Sequence, residues 1–295
     1  MTLFKGARLE VLPSEHAAFP ARLVQYMAEK QVSFIFWVPS IMTAIANFKL
    51  FDRIPLPDLR TVCFAGEVFP TPHFNYWRRH LPQATFINLY GPIEISVICT
   101  YYLVDREFRD DEPLPIGLPC ANTDILILDE DDRPCGPGVH GELCVRGAGV
   151  APGYWNNPEA TARAFVQNPL NPHYPETVYR TGDVAYRNDR GEIMFVGRKD
   201  FQVKHMGYRF DLGEIEHFVL QIPDMQYACV CYNRDRKEIH LFFEAGRAMA
   251  AAEIRSALGA SLPKHMWPTH CHQVEHLPRN PNGKIDRAAL AARVK

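Results

Sequence analysis

Hydrophobic and polar residues follow two different periods along the chain, and the dominant period changes as the chain proceeds. In the first third, stretches with helical periodicity alternate with short apolar runs. Predicted helices span residues 21–30, 41–48 and 72–80, and predicted strands span residues 33–38, 61–65 and 85–89. This alternation favours a parallel α/β sheet, in which ligands bind beyond the carboxyl ends of the strands.

From about residue 101 the pattern becomes one of short strands between turns rich in Pro, Gly and Asn. The predicted strands span residues 124–128, 141–146, 184–186 and 193–196. Short strands separated by such turns are typical of an antiparallel barrel. We therefore expect a partial parallel α/β unit over residues 1–105 and a β-barrel-like unit over residues 106–197.

The pattern changes again after residue 200, to a small α+β unit over residues 198–295 that we call the cap. It begins with a hairpin through Val203 and Phe210 and a helix opened by Gly213 and Glu214. Further predicted elements are strands over residues 225–232 and 238–244 and a helix over residues 250–258. We call residues 1–197 the body, and we place a pivot between body and cap at Gly197 to Asp200.

Composition excludes several classes of protein. The chain has 295 residues, 47% of them hydrophobic, which is enough for two or three packed cores. Its formal net charge of −2 gives no sign of a nucleic-acid-binding face. It also lacks an apolar run long enough to span a bilayer and a leader with a continuous apolar segment, so we predict no membrane partner and a cytoplasmic location.

The eight cysteines lie in apolar, strand-like runs without C-x-x-C spacing, so we predict buried free thiols in a reducing compartment. For the cysteines, a metal is conceivable only at the cluster of His270, Cys271, His272 and His276. Alternation along a strand would place Cys271 on the face opposite His270 and His272, so an ordinary structural role is favoured there over a common ligand set.

Three motifs carry the candidate chemistry. The run Tyr179–Glu216 combines an acid after a Thr-Gly pair, a Gly-Arg-Lys-Asp corner and a basic hairpin containing Gly. An acid and cations in this arrangement suit a sugar-phosphate ligand through charge-assisted hydrogen bonds. The runs Asn88–Glu94 (NLYGPIE) and Asn280–Arg287 (NPNGKIDR) are the other two motifs, and each alone would indicate only a turn.

In their order along the chain, with Asn88–Glu94 first and Asn280–Arg287 last, the three motifs resemble those of the adenylate-forming superfamily, the AMP-dependent synthetases and ligases. Residues 36–40 and 64–67 look most similar to amino-acid activators, namely the carboxyl-terminal part of a nonribosomal peptide synthetase adenylation domain or a D-alanine–carrier protein ligase. The resemblance implies an α/β unit, a β-barrel and a small α+β cap that turns between two half-reactions. A carboxylate would attack the α-phosphate of ATP with Mg²⁺, and the acyl group would then pass to a phosphopantetheine thiol on a carrier protein or CoA.

The resemblance also implies roles for individual residues, and these stay hypotheses. The nucleotide residues would be Gly66 and Glu67 at the adenine, Tyr90 stacked on the base with Asn88 and Gly91 beside it, and Asp183 and Arg198 at the ribose. Arg209 would contact the α-phosphate, Lys284 would bridge the carboxylate and the phosphate, and Glu94 would hold Mg²⁺. Asp200 would be the hinge, and Lys204 and Gly207 would serve the thiol half-reaction, where glycine leaves room for a thin pantetheine arm.

Simpler interpretations exist for single members of this set. Lone cations such as Arg198 and Lys284 are most simply solvated surface charges. Tyr90 is equally consistent with a core aromatic at a strand end, and Glu94 with an acid favoured at a helix N-terminus by the dipole. Their joint placement in ordered motifs favours the functional interpretation.

Two departures from the family pattern matter. Ile93 stands where the family usually has Thr, and an alkyl side chain cannot donate to a phosphate; one lost donor would cost about 2 to 4 kcal/mol of transition-state stabilisation. The phosphate-binding loop that ends in Lys, and the later Phe-Asp segment, have no counterpart here. The predicted first strand, Ala7 to Pro13, resembles the part of the family pattern that comes directly after the Phe-Asp segment, so we expect the amino-terminal part of the fold to be missing.

Two alternatives stay open, and the two departures favour the first of them. One is a pseudoenzyme that binds a nucleotide or a carrier protein without catalysis. The other is a fatty or aryl acid CoA ligase, which would prefer CoA over a carrier protein. No carrier-like segment comes after Lys284, so we expect any thiol acceptor to be supplied in trans.

Overall fold

The structure is a computed structural model that describes residues 6–12, 19–206, 208–280 and 283–294. The first sheet has five strands in the order β1-β2-β3-β4-β5, and its first three strands are parallel. These strands are β1 (Phe34–Trp37), β2 (Thr61–Ala65), β3 (Thr85–Tyr90), β4 (Thr100–Leu103) and β5 (Leu118–Pro119). Three helices accompany them: α1 (Pro20–Glu29), α2 (Pro39–Asn47) and α3 (Thr71–His80).

The core of this first layer depends on aromatic residues. In α3, Phe74 and Trp77 are three positions apart, so they lie on one face of the helix, and both are fully buried. Phe64 of β2 lies beside Phe74, with ring centroids 6.2 Å apart. Each of the three helices begins with a proline in its first turn, where the missing N–H is not needed.

The second sheet is antiparallel, with the order β10-β9-β7-β6 and with β8 paired to β9. Its strands are β6 (Thr123–Leu128), β7 (Gly141–Gly147), β8 (Phe165–Gln167), β9 (Thr177–Arg187) and β10 (Ile193–Arg198), and α4 spans Pro158–Ala164. Ile125, Ile127, Leu143, Val145 and Ile193 form its core. An isolated bridge between Gly117 and Ile193 connects this sheet to the chain that leads into β5.

The described part of the cap contains a hairpin, a three-stranded sheet and three α-helices. The strands are β11 (Gln202–His205), β12 (Tyr208–Asp211), β13 (Met225–Asn233), β14 (Glu238–Ala245) and β15 (His270–Gln273). The helices are α5 (Leu212–Val219), α6 (Ala251–Leu258) and α7 (Arg287–Ala292). One face of the sheet packs in a core with α5 and α6, and the other face packs with α7. In the sheet, β14 pairs with β13 antiparallel and with β15 parallel.

The predicted elements agree with this architecture, with three differences. Strand β9 is eleven residues long, whereas we predicted only residues 184–186, because the Thr-Gly pair within it looks like a turn. The predicted strand from Ala7 is wrong, since residues 7–12 form no strand; Pro13 lies outside the described residues. The short elements β4, β5, β8, β15, α4 and α7 were not among the predicted elements.

Candidate active site

Asp183 is the centre of a buried polar cluster formed by the middle of β9 and the ends of β3 and β10. Its side chain is 11% exposed. The Tyr90 hydroxyl, at the end of β3, donates to Asp183 Oδ2. Arg198, at the end of β10 and directly paired with Asp183 in the sheet, donates from Nη1 to Asp183 Oδ1 at 3.0 Å. The structure therefore brings together three residues that are distant in sequence, since Tyr90 lies 93 positions and Arg198 lies 15 positions from Asp183.

The Thr-Gly pair before Asp183 fixes the carboxylate within the strand. The Thr181 hydroxyl donates to the carbonyl oxygen of Leu143 at 2.7 Å and accepts from the Asp183 N–H at 2.9 Å. Gly182 has a φ of +71°, and a Cβ at this position would lie 3.2 Å from Nη2 of Arg198. Glycine therefore permits both the backbone conformation and the close approach of the guanidinium group.

The electrostatics of the cluster keep Tyr90 protonated. Burial, followed by the neighbouring Asp183 carboxylate, raises the pKa of Tyr90 well above its ordinary value. Its hydroxyl is therefore a permanent donor at neutral pH. A carboxylate has about four lone-pair sites, so one such group can accept from both hydroxyls of a vicinal diol.

Lys284 of the cap reaches the body at the carboxyl end of β2. Its Nζ donates to the carbonyl oxygen of Gly66 at 2.6 Å. Gly66 has a φ of +90°, and a Cβ there would lie 3.3 Å from Nζ, so glycine again leaves the space that the lysine uses. Asn280 holds the base of the Lys284 loop, because its N–H donates to the Lys284 carbonyl at 2.8 Å and its Oδ1 accepts from the Lys284 N–H at 3.1 Å.

The cap makes a second contact with the body at Ser40, which is hydrogen-bonded to the residue that follows Gly66. Glu67, next to Gly66, accepts the Ser40 N–H at 2.8 Å through Oε2. The Ser40 carbonyl in turn accepts from the hydroxyl of Tyr227 at 3.5 Å, and the guanidinium of Arg279 lies 4.8 Å from the centre of the Tyr227 ring. Tyr227 and Arg279 belong to the cap, so polar groups hold it over the start of α2 and the end of β2.

Glu94 lies in the loop after β3, and its partner is Tyr154, a residue that the motifs do not include. The Tyr154 hydroxyl donates to Glu94 Oε1 at 2.7 Å. Burial and then this hydrogen bond raise the pKa of Tyr154. The only sequence signal that could have drawn attention to Tyr154 is its position in a Gly-Tyr-Trp run. In the structure, the neighbouring Trp155 is 92% exposed.

The loop that carries Glu94 is tightly folded. A Cβ on Gly91 would lie 2.4 Å from the carbonyl oxygen of Val97, so only glycine allows the chain to turn back here. Ser96 and Val97 have φ values of 64° and 82°, which is unusual for a non-glycine residue and strained for a β-branched one. Ile93 is 82% exposed at the tip.

The remaining predicted residues have different outcomes. The amide of Asn88 is buried and donates to the Pro115 carbonyl at 2.8 Å, so this side chain is used inside the protein. Strands β11 and β12 pair Lys204 with Arg209 in register. The side chains of Asp200, Lys204 and Arg209, and all of Gly207, lie outside the described residues, and their predicted roles stay predictions.

The sequence did not single out a carboxylate that neighbours this cluster. Glu142 of β7 is 5% exposed and accepts from Arg180 Nη1 at 2.8 Å and from Lys199 Nζ at 2.7 Å. It also accepts from the Gly182 N–H at 3.2 Å, directly before Asp183. Glu142 therefore links the strand of Asp183 to the segment that leads into the cap.

All eight cysteines are free, as predicted, but only five of them are buried, because Cys120, Cys135 and Cys271 are partly exposed. No helix in the described ranges is both long and apolar enough to cross a membrane. A cavity of about 510 Å³ lies between cap and body, and it is lined by Pro72, His73, Asp110, Asp111, Leu220, Gln221, Ile222, Pro223 and Met225. None of the residues predicted to bind nucleotide lines this cavity, so it does not mark the candidate site.

Comparison with known proteins agrees with the fold. The sequence profile of the family described as AMP-binding enzyme matches residues 1–155, and the chain belongs to this family. Bacitracin synthase 1 of Bacillus licheniformis is 35% identical over 291 residues, which are 98% of this chain and 5% of that protein. Tyrocidine synthase 1 of Brevibacillus parabrevis is 35% identical over 293 residues, which are 98% of this chain and 26% of that protein.

Solved structures give the same picture. The four-domain nonribosomal peptide synthetase AB3403, in its holo form with AMP and glycine, superposes with a TM-score of 0.80 at 30% identity over 96% of this chain and 21% of that one. The anthranilate CoA ligase AuaEII, solved with anthranoyl-AMP, has a TM-score of 0.83 at 21% identity over 98% of this chain and 54% of that one, a likeness of fold. The fold is that of an adenylate-forming enzyme, and the chain spans a small part of the curated relatives and about half of AuaEII.

Proposed function

We propose that this chain takes part in the ATP-dependent activation of a carboxylic acid as an acyl-adenylate. The observation that carries the proposal is the reach of Lys284 from the cap to Gly66, at the carboxyl ends of the parallel strands, where α/β proteins bind ligands. The proposed site combines this cation with Asp183, which has the acceptors for a ribose diol.

In the proposed reaction, a carboxylate oxygen attacks the α-phosphorus of ATP and the bond to pyrophosphate breaks. Negative charge is concentrated between the two reacting anions, and the Lys284 ammonium would neutralise it there, which is the kind of electrostatic assistance that contributes most to catalysis. Asp183 and Arg198 would hold the ribose, with Tyr90 against the base. Glu94, a half-buried carboxylate in a loop, has the ligand chemistry that Mg²⁺ prefers, and the ion would neutralise phosphate charge.

We further propose that the acid is an amino acid and that the acceptor is a phosphopantetheine thiol on a carrier protein. Similarity to bacitracin and tyrocidine synthases and to AB3403, a nonribosomal peptide synthetase solved with AMP and glycine, supports this. In the second step the thiol sulfur would attack the acyl carbonyl and AMP would leave, giving a thioester. Lys204 and Gly207 would serve this step.

Amino-acid-dependent exchange of labelled pyrophosphate into ATP tests the first step, with a panel of amino acids headed by D-alanine. Lys284→Ala should lower the exchange rate by about 100-fold or more while AMP affinity, measured by calorimetry, changes little. Lys264→Ala is the matched control, because Lys264 is an exposed lysine of the same cap. Equal exchange rates in Lys284→Ala and the control would contradict the role of Lys284.

Asp183→Asn tests the ribose assignment separately. Loss of a charged acceptor is expected to cost about 1.5–3 kcal/mol, which corresponds to a roughly 10- to 150-fold weaker AMP affinity. Asp105→Asn is the control, since Asp105 also accepts from a tyrosine, Tyr102, at 3.3 Å, but is exposed elsewhere in the body. Unchanged AMP affinity in Asp183→Asn would overturn the assignment.

One observation favours a second function, nucleotide binding without catalysis. Ile93 is exposed at the tip of the loop that carries Glu94, where the family resemblance calls for a hydroxyl donor. AMP binding that depends on Asp183, without exchange for any amino acid, would support this alternative. For an active protein, faster thioester formation with CoA than with a holo carrier protein would instead support an acyl or aryl CoA ligase.

A further inference from the structure

A polar cluster lies on the α7-facing side of the cap sheet, where β14 and β15 run parallel. Glu238 and His240 are two positions apart on β14, so their side chains share one face, and His270 of β15 is the direct neighbour of His240. Nε2 of His240 lies 3.4 Å from Oε2 of Glu238, and Nε2 of His270 lies 3.5 Å from the same oxygen. Two imidazoles and a carboxylate therefore converge at one point.

The spacing of these atoms is that of a metal site. Zinc binds histidine nitrogen and carboxylate oxygen at about 2.0–2.2 Å, and in a tetrahedron this separates neighbouring ligand atoms by roughly 3.4 Å. The two measured separations are 3.4 and 3.5 Å, and all three ligand atoms lie within 4.8 Å of one another. Only a small side-chain rotation is needed to complete a set of three ligands.

His240 shows that the cluster is not satisfied by its own hydrogen bonds. Its side chain is 10% exposed, and its Nε2 is buried without a hydrogen-bond partner. Its Nδ1 lies 3.1 Å from Nε2 of His272, two residues along β15 from His270. When Nδ1 carries the proton in this bond, the Nε2 lone pair faces the Glu238 oxygen, and two acceptors oppose each other unless a cation lies between them.

The surroundings of His240 also support a metal in this position. His272 bonds to the other ring nitrogen, as an outer partner does when it orients a metal-binding histidine. Cys271 points to the opposite face and packs in the core with α5 and α6, so it is not a ligand.

We propose that Glu238, His240 and His270 bind a Zn²⁺ ion, with His272 as the positioning residue for His240 and with water in the fourth position. His270 is 46% exposed on its side chain, which gives the ion and the water access from solvent. The ion would fasten the four-residue edge strand β15 to the eight-residue strand β14. The site would thus stabilise the cap rather than take part in adenylation.

Zinc binding to the 295-residue chain is measured by dialysis against buffered ZnCl₂ with elemental analysis, and thermal unfolding is recorded with and without free Zn²⁺. The expected result is one Zn²⁺ per chain and a midpoint of unfolding that rises with free Zn²⁺. His270→Ala and the more conservative Glu238→Gln should each lose both effects. His272→Ala should weaken binding by about 10- to 100-fold without changing the stoichiometry.

His276→Ala is the matched control, because His276 is 83% exposed on its side chain and lies outside the cluster, 3.9 Å from Glu244. This variant should bind Zn²⁺ as the parent does. Replacement of Zn²⁺ by Co²⁺ should give a visible spectrum with the intensity of a four-coordinate site. The proposal is overturned if the parent binds no Zn²⁺, or if His270→Ala and Glu238→Gln bind it as tightly as His276→Ala.

Discussion

Asp211 makes the stability of this protein sensitive to pH. It is 3% exposed and forms the N-cap of α5, where Oδ1 accepts the Gly213 N–H at 2.7 Å. Its other oxygen, Oδ2, is buried without a hydrogen-bond partner. A Cβ on Gly197 would lie 2.2 Å from Oδ2, so the backbone at the end of β10 packs directly on the carboxylate. We predict that Asp211→Asn changes the free energy of unfolding, relative to the parent, more favourably at neutral pH than in acid.

The magnitude follows from the pKa of this group. Burial raises the pKa of Asp211 to about 6. Its unfolded-state value is about 3.9, and each pKa unit corresponds to about 1.4 kcal/mol, so the ionised carboxylate destabilises the fold by about 3 kcal/mol. Because the pKa of Asp211 is raised in the folded state, the parent keeps its full stability below about pH 3.9, where the carboxyl group is protonated. It loses about 3 kcal/mol as the pH rises through about 6 and the group ionises. Roughly 2 kcal/mol of the change falls between pH 4.5 and 7.5.

Urea unfolding of both proteins at pH 4.5, 5.5, 6.5 and 7.5 measures the effect. The free energy of unfolding of Asp211→Asn minus that of the parent should become more positive by about 2 kcal/mol across this range. Any constant effect of the amide on capping or packing cancels in this difference. Asp286→Asn is the control for replacement of an N-cap aspartate, because Asp286 forms the N-cap of α7 and is half exposed. A difference for Asp211→Asn that is flat with pH would refute the reasoning.

Three further changes test other parts of the structure. Glu142→Gln leaves Arg180 and Lys199 without their shared carboxylate and should lower the free energy of unfolding in urea by about 3 kcal/mol. Val97→Gly removes a β-branched residue at a φ of 82° and should raise the thermal midpoint, with a gain of about 1 kcal/mol. Ile93→Thr restores a hydroxyl donor and should increase pyrophosphate exchange about 100-fold if the parent exchanges at all; an unchanged rate would show that the hydroxyl is not needed.

The local pattern of apolar and polar residues predicted the elements whose buried side is apolar throughout. The bounds of β2 were predicted without error, because it is a short apolar run with a continuously buried centre. Those of α3 were predicted within one residue, because Phe74 and Trp77 repeat with the period of a helix. Short elements such as β8 and β15 are edge strands of three and four residues, and they exist because a longer neighbour pairs with them. Such strands have too few residues to show a period.

The candidate site, like the fold, was predicted only in part. The residues were found from motifs, but their contacts depend on tertiary structure. Strand pairing brings Arg198 beside Asp183, and Tyr90 reaches the same carboxylate from another sheet. The interruption of β9 was predicted from the Thr-Gly pair, whereas the strand continues because the Thr181 hydroxyl bonds to β7 and the arginine occupies the space beside Gly182. Neither contact has a signature in the local sequence.

The contacts between body and cap connect these observations to the proposed chemistry. The buried cores on the two sides consist of separate sets of residues. The described hydrogen bonds from Lys284 to Gly66 and from Tyr227 to Ser40 join polar groups, and a cavity of about 510 Å³ lies in the same interface. Polar contacts between domains break at a lower cost than a shared apolar core, because water replaces the lost hydrogen bonds. The division at residues 105 and 197 and the hinge at Asp200 stay predictions, but an interface of this kind is what a cap that turns between two half-reactions requires.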